Sequence, residues 1–250
     1  MSTTPSQNTL RQNGTGTGRS SFKKMSLSSR VAIHFSVGLM AALAILFLPA
    51  GTLRWWQGWI YLGILFVPTL SAYLYFLRHN PQFLESRLQQ KEQVGEQKLL
   101  IRLSAPLFIG ASLVPGFDYR LGWSRNLLGE MPLALTVIGE AMALASMLFA
   151  MWSMNVNRFA ARTIKVEAGQ TVISIGPYRF VRHPLYAGAA ILWVFSPLAL
   201  GSSVTLPAFV LLVFFYVIRL LNEEKVLRKE LPGYIEYCKK TRFRLIPFVW

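Results

Sequence analysis

A chain of 250 residues that is 53% hydrophobic and only 15% charged is too apolar and too charge-poor for an ordinary soluble domain of its length. A single cysteine, Cys238, leaves no intrachain disulfide or thiolate cluster, and three scattered histidines (His34, His79, His183) give no buried metal centre. The formal charge of +15 raises the question of nucleic acid, which the placement of the basic residues answers.

Residues 1–30 are rich in Ser, Thr, Gly, Asn and Gln, carry five basic residues and no acid, and read as a disordered tail rather than a signal peptide. Residues 31–154 form the N-terminal transmembrane region. Its first span runs from Val31 to Pro49, followed by a turn and by Trp55, Trp56 and Trp59 at the depth of an interfacial aromatic belt. A second span, kinked at Pro68, reaches Leu77, and a polar stretch from Arg78 to Lys98 opens with a short surface helix at Pro81. The third span, Leu99–Val114, is short and contains Arg102 and Pro106; a connector from Asp118 to Glu130 follows it. Met131–Met154 is the fourth span, with Glu140 costly at bilayer depth unless it pairs with a neighbouring helix or lines a cavity.

Residues 155–250 open with a polar segment in which Ile164–Ile173 suggests a hairpin around Ala168-Gly169. Two apolar runs, Leu185–Leu200 and Val204–Leu221, are separated by only three small residues and must form a tight antiparallel pair. Beyond them, Glu223–Leu231 and Tyr234–Lys240 read as amphipathic helices broken at Pro232-Gly233, with Phe243–Trp250 extended or interfacial. The predicted fold is thus an all-α polytopic membrane protein of about six transmembrane helices with a cytosolic amphipathic tail. Four segments, 1–30, 78–102, 158–182 and 219–244, hold 23 of the 26 Lys and Arg residues. With six spans they all fall on one side, which the positive-inside rule makes cytoplasmic, together with both termini. Nucleic acid has no use for such alternation; the expected partners are membrane lipids.

Two polar clusters carry the chemistry. Gly176-Pro177-Tyr178-Arg179-Phe180-Val181-Arg182-His183-Pro184-Leu185-Tyr186 gathers aromatic, basic and imidazole groups at a helix entrance, where Pro184 suits the first turn. A lipid-headgroup anchor accounts for the arginines equally well. Arg219 to Glu224 lies at the other end of the hairpin, so both clusters meet at one membrane face. There Arg219 and Glu223, four apart, share a helix face, with Glu224 about 100° away. A salt-bridged helix end is the plain alternative.

The ordered set of Gly176-Pro177-Tyr178-Arg179, Val181-Arg182-His183-Pro184-Leu185-Tyr186-Ala187-Gly188, Asn222-Glu223-Glu224 and Tyr234-Ile235-Glu236-Tyr237 resembles the C-terminal signature of the isoprenylcysteine carboxyl methyltransferase family. Membrane phospholipid N-methyltransferases belong to the same wider group. Val166-Glu167-Ala168-Gly169-Gln170 resembles the bacterial branch, which would place the chain in a bacterial inner membrane. The resemblance implies S-adenosylmethionine at the cytosolic face, without metal or Rossmann domain. It would be held by Gly176, Pro177, Tyr178, His183, Tyr186, Glu223 and Glu224, with Arg219, Glu223 and Tyr186 acting on the acceptor. It further implies a lipophilic, isoprenoid-like acceptor entering from the bilayer. A prenylated protein is not implied, because this chain is shorter than the members that modify one. The competing expectations are a membrane reductase of sterol-like or enone-like lipids, which shares an Arg-His-Pro-x-Tyr-like block but uses NADPH, and a non-catalytic scaffold.

Overall fold

The computed structural model describes residues 25–89, 95–157, 159 and 169–250. Most of the N-terminal tail, the first half of the Ile164–Ile173 hairpin and most of the Val166–Gln170 motif lie outside them. The described residues are helical, with no strand among them: α1 (Leu27–Ala50), α2 (Trp56–His79), α3 (Pro81–Gln89), α4 (Gly95–Leu121), α5 (Trp123–Leu128), α6 (Leu133–Val156), α7 (Pro184–Ala199), α8 (Leu206–Glu230) and α9 (Tyr234–Lys240). Single 3-10 turns, Gly176–Arg179 and Ser203–Thr205, precede α7 and α8.

Five helices (α1, α2, α4, α6 and α8) are long and apolar enough to cross a membrane, and the protein is an all-helical polytopic membrane protein. Contacts sort the helix ends into two groups. At one end, Arg30 at the start of α1 pairs with Glu85 of α3 at 2.6 Å. At the other, the Val204 amide donates to the Ser124 hydroxyl at 3.1 Å, and Ser124 donates to the buried Asp118 carboxylate. The site segments, 176–186 and 219–224, lie at the α1-start end.

Helix α7 has 16 residues, so it rises about 24 Å against about 36 Å for the 24-residue α6 beside it. A hydrocarbon layer of about 30 Å exceeds it. The far end of α7 runs into Ser202 and Thr205, both buried with the other far ends. The shortfall therefore falls at the His183 end. The α6–α7 pair is the most extensive helix contact. Gly139 and Gly188 permit it: a Cβ on Gly139 would collide with the Ala199 amide, and one on Gly188 would lie 3.2 Å from the Ser146 carbonyl.

Four expectations change. The third span is a 27-residue helix through Arg102, Pro106 and Pro115, and it absorbs the start of the expected connector. Helix α1 begins at Leu27, capped by Ser26, inside the segment expected to be tail. Trp55 is fully buried rather than interfacial, stacked on Tyr119 at 5.3 Å, because its position just ahead of α2 turns it towards Phe47 and Tyr119. Most consequentially, α8 runs unbroken through Leu221 to Glu230. No Gly or Pro interrupts residues 208–230, so Arg219–Glu224 lies inside the helix, which continues to Glu230.

Single cysteines in a Cys238→Ser background test the end assignment. Arg78→Cys and Lys240→Cys, both exposed, are expected to react with an impermeant thiol reagent from one side of the membrane. Thr52→Cys and Asn126→Cys should react from the other. Labelling of Arg78→Cys and Asn126→Cys from the same side would break the arrangement.

Candidate functional site

The segment before α7 is built backwards from Pro184. His183 occupies the N-cap position of α7 with non-helical backbone (φ −126°, ψ 64°) and no side-chain capping bond, and Pro184 takes the first helical position. The amides that this loop leaves unsatisfied are claimed by the C-terminal tail: Arg182 N–H donates to the Phe243 carbonyl at 2.9 Å and His183 N–H to that of Arg244 at 3.0 Å. The Tyr237 hydroxyl of α9 donates to the Tyr178 carbonyl at 2.6 Å. Gly233 (φ +80°) supplies the left-handed turn that starts α9. Loop and tail thus form one cap over the end of the α7–α8 hairpin.

An ion cluster fastens this cap. Glu224 receives Arg182 at 2.7 Å on one oxygen and Arg244 Nε at 2.8 Å on the other, with Arg228 at 3.5 Å. The side chains of Arg182 and Glu224 are each 4% exposed. Arg182 also donates to the Thr241 and Arg242 carbonyls at 3.1 and 2.7 Å. Its guanidinium is therefore a buried structural group and not a headgroup anchor at the surface.

On the opposite face of α8 lies a cavity of about 390 Å³. Tyr178, His183, Tyr186, Arg219, Glu223 and Tyr234 contribute its polar wall, and Ala150, Met154, Leu185 and Ala189 its apolar one. Tyr186 donates to Glu223 Oε2 at 2.6 Å, and Arg219 also reaches the Tyr186 hydroxyl. The Tyr178 hydroxyl bonds to Asn157. Tyr234 lies 3.3 Å from His183 Nε2; with the phenol as donor, the neutral ring carries its proton on Nδ1.

Burial pushes the Tyr178 phenol up to about 12 and raises those of Tyr234 and Tyr237 as well, so all three are neutral donors at ordinary pH. Burial holds His183 down at about 4; the Glu224 carboxylate opposes this, and the Arg182 and Arg244 cations reinforce it. His183 is thus a neutral hydrogen-bonding group. The unfolded ring, near 6.5, takes up a proton that the folded ring refuses. Stability is complete above about pH 6.5 and falls as pH drops towards 4, by about 3 kcal/mol at most. Thermal midpoints between pH 7.5 and 5 should show this decline, and His183→Asn should flatten it. Equal slopes for the two proteins would refute the assignment.

Of the residues expected at the site, Tyr178, His183, Tyr186, Arg219 and Glu223 line the cavity together. Gly176 and Pro177 stand behind the wall, Gly176 against Val156 and Pro177 fully buried. Glu224 faces away, into the ion cluster. Sequence reasoning missed Asn157 as a Tyr178 partner, Tyr234 as a His183 partner, and Arg87 of α3 and Tyr216 of α8 as wall residues. The Tyr234 and Tyr237 pair at helical spacing was a usable signal.

Fold and site define a polytopic helical membrane protein with a polar cavity at one end of its bundle. Residues 134–232 match the family model described as phospholipid methyltransferase, which begins at α6 and ends just past α8. This partial match supports methyltransferase character and the broader class of small membrane methyltransferases. The chain is also 33% identical over 91 residues to the mouse Delta(14)-sterol reductase TM7SF2, an overlap of 35% of this chain. The chain spans about a fifth (22%) of that curated relative's length.

Proposed function

We propose that the protein is an S-adenosylmethionine-dependent membrane methyltransferase of the isoprenylcysteine carboxyl methyltransferase type, acting on a small lipophilic acceptor, with carboxylate O-methylation favoured. The observation that carries this reading is the composition of the cavity inside the matched region. Neutral Tyr and His donors converge there with one carboxylate, Glu223, beside apolar walls. That donor set fits S-adenosylmethionine: a carboxylate for its cationic portion, phenol and imidazole groups for its hydroxyls and ring nitrogens, and a volume within the usual range for small-molecule pockets.

S-adenosylmethionine, which Tyr178, His183, Tyr186 and Glu223 would hold, would supply an electrophilic sulfonium methyl, and a carboxylate acceptor would have no proton to lose. The protein's own residues then have only to align and desolvate. Glu223, fixed by the Tyr186 hydroxyl, holds positive charge at the α8 wall. Arg219 orients the acceptor carboxylate through two parallel N–H bonds. An amine or thiol acceptor would instead have to give up a proton, and Glu223 would receive it, directly or through the Tyr186 hydroxyl that donates to it.

The similarity to a sterol reductase keeps a second reading in view, an NADPH-dependent reductase of sterol-like or enone-like lipids. Its cofactor needs several cations for its phosphates; of the three arginines on this wall, Arg182 is committed to Glu224 and two carbonyls and Arg219 engages the Tyr186 hydroxyl. A non-catalytic scaffold is the third. Calorimetry on the purified protein separates them. S-adenosylhomocysteine is expected to bind and NADPH not to bind, and Glu223→Gln should weaken S-adenosylhomocysteine about tenfold to a hundredfold, the scale of one charge-assisted hydrogen bond. Binding of NADPH alone would establish the reductase reading, and binding of neither would support the scaffold.

A further inference from the structure

The face of α8 turned away from the polar cavity changes character along its length. Val210, Phe214, Ile218, Leu221, Lys225 and Arg228 recur at intervals of three and four residues, so they form one stripe. Val210 and Phe214 are 50% and 58% exposed, as a lipid-facing surface requires. From Leu206 to Lys225 the helix rises about 29 Å, close to the roughly 30 Å of a hydrocarbon layer. Lys225 therefore stands at the boundary between acyl chains and headgroups, and Arg228, about 4.5 Å further on, stands among the headgroups.

At that level Ile218, Leu221, Asn222, Lys225, Arg228 and Arg244 border a groove of about 430 Å³ on the outer side of the ion cluster. Glu224 is its one acid among the described residues. Arg182 and Arg244 already take its two oxygens at 2.7 and 2.8 Å. Arg228 is left at 3.5 Å, longer than the about 2.7–2.9 Å of a charge-assisted bond. Lys225 has no partner among the described residues. Three arginines and a lysine thus meet one carboxylate, an excess that a phosphate would offset. A second observation puts the groove at an interface. Arg244 sits in a turn closed by the Trp250 carbonyl, which accepts from the Arg244, Leu245 and Ile246 amides. This turn leaves Ile246, Phe248 and Val249 exposed, Phe248 at 90%. Apolar side chains shown together in this way suit the acyl boundary and not bulk water.

We propose that this groove binds an anionic glycerophospholipid, its phosphate held by Lys225, Arg228 and Arg244 and an acyl chain lying along Phe214, Ile218 and Leu221. The lipid braces the cap over the polar cavity from behind, because Arg244 ties the C-terminal tail to Glu224. The inference goes beyond the methyltransferase reading and does not depend on it. The lipid is a bound ligand and not the methyl acceptor, since Glu223 and the polar cavity lie on the opposite face of α8.

The test uses the purified full chain in detergent, titrated with dioctanoyl-phosphatidylglycerol, dioctanoyl-phosphatidylcholine or glycerol 3-phosphate, with the thermal midpoint and native mass spectrometry as readouts. The anionic lipid is expected to bind saturably and to raise the midpoint, and the other two are not. Lys225→Gln and Arg228→Gln should each weaken that binding about fivefold, the scale of one basic residue at an anionic membrane surface. Lys225→Gln removes no contact among the described residues, so it keeps the test valid even if Arg228→Gln disturbs the ion cluster. Arg78→Gln, an exposed cation at the same end of the bundle, should leave the affinity unchanged. An equal loss from Arg78→Gln would mean diffuse attraction to charge and would overturn the site. An equal rise with glycerol 3-phosphate would assign the groove to free phosphates and remove the lipid. Indifference of the wild type to phosphatidylglycerol, or wild-type affinity in both groove variants, would also overturn the proposal.

Discussion

Glu224→Ala is expected to cost about 3–5 kcal/mol of stability, because it strands the buried Arg182 guanidinium without its counter-ion. For a chain of this size that lowers the thermal midpoint by roughly 6–20 °C. The loss spreads beyond one pair. Glu224 is where the loop before α7, the shaft of α8 and the C-terminal tail are joined, through Arg182, Arg228 and Arg244. S-adenosylhomocysteine affinity should fall with it, since Tyr178 and His183 ride on the loop that comes loose. A contact role and a fastening role can be told apart. Glu224→Gln keeps two hydrogen-bonding atoms of the same shape, so it should recover part of the midpoint and part of the affinity together. Arg244→Gln removes one arm of the cluster from the tail side and should lower both quantities in the same proportion. Affinity lost from Glu224→Ala at an unchanged midpoint would instead mean that the carboxylate meets the ligand directly.

The meeting of His183–Tyr186 with Arg219–Glu223 was legible because three small residues between two apolar runs leave no choice but a hairpin. Helical spacing likewise turned Glu223 and Glu224 to different faces. What was not legible is which face mattered for which task. Arg182 looked like an interfacial anchor, since nothing in its local sequence announces burial. Its partners Thr241, Arg242 and Glu224 come from 42 to 60 positions away, along a tail without periodicity. Continuity of α8 past the membrane was readable from the absence of Gly and Pro, but the fall in hydropathy at Asn222 suggested a boundary where the backbone has none. Arg87 shows a further limit. A short amphipathic helix displays its charge in the sequence, yet only the packing of Phe83 and Leu84 decides where that charge points.

Arg219→Lys is expected to lower turnover on a carboxylate acceptor about 100-fold while S-adenosylhomocysteine affinity stays within a few-fold. The charge survives the substitution and the planar two-point grip does not, and misorientation of a reacting group is worth that much. The structure sharpens the experiment, because Arg219 and Glu223 both engage the Tyr186 hydroxyl. If Arg219 serves only to set Tyr186, then Tyr186→Phe should reproduce the Arg219→Lys defect in turnover and in affinity alike. If Arg219 holds the acceptor, Tyr186→Phe should chiefly weaken S-adenosylhomocysteine, through a less constrained Glu223, and spare the relative rates of different acceptors. The acceptor itself can be sought first, by mass spectrometry of membranes supplied with isotopic S-adenosylmethionine. Methyl transfer confined to amines or thiols, with Arg219→Lys fully active, would eliminate the carboxylate clamp. Proton removal would then fall to Glu223, whose Oε2 already accepts from Tyr186 at 2.6 Å, and rate would rise with pH instead of remaining level.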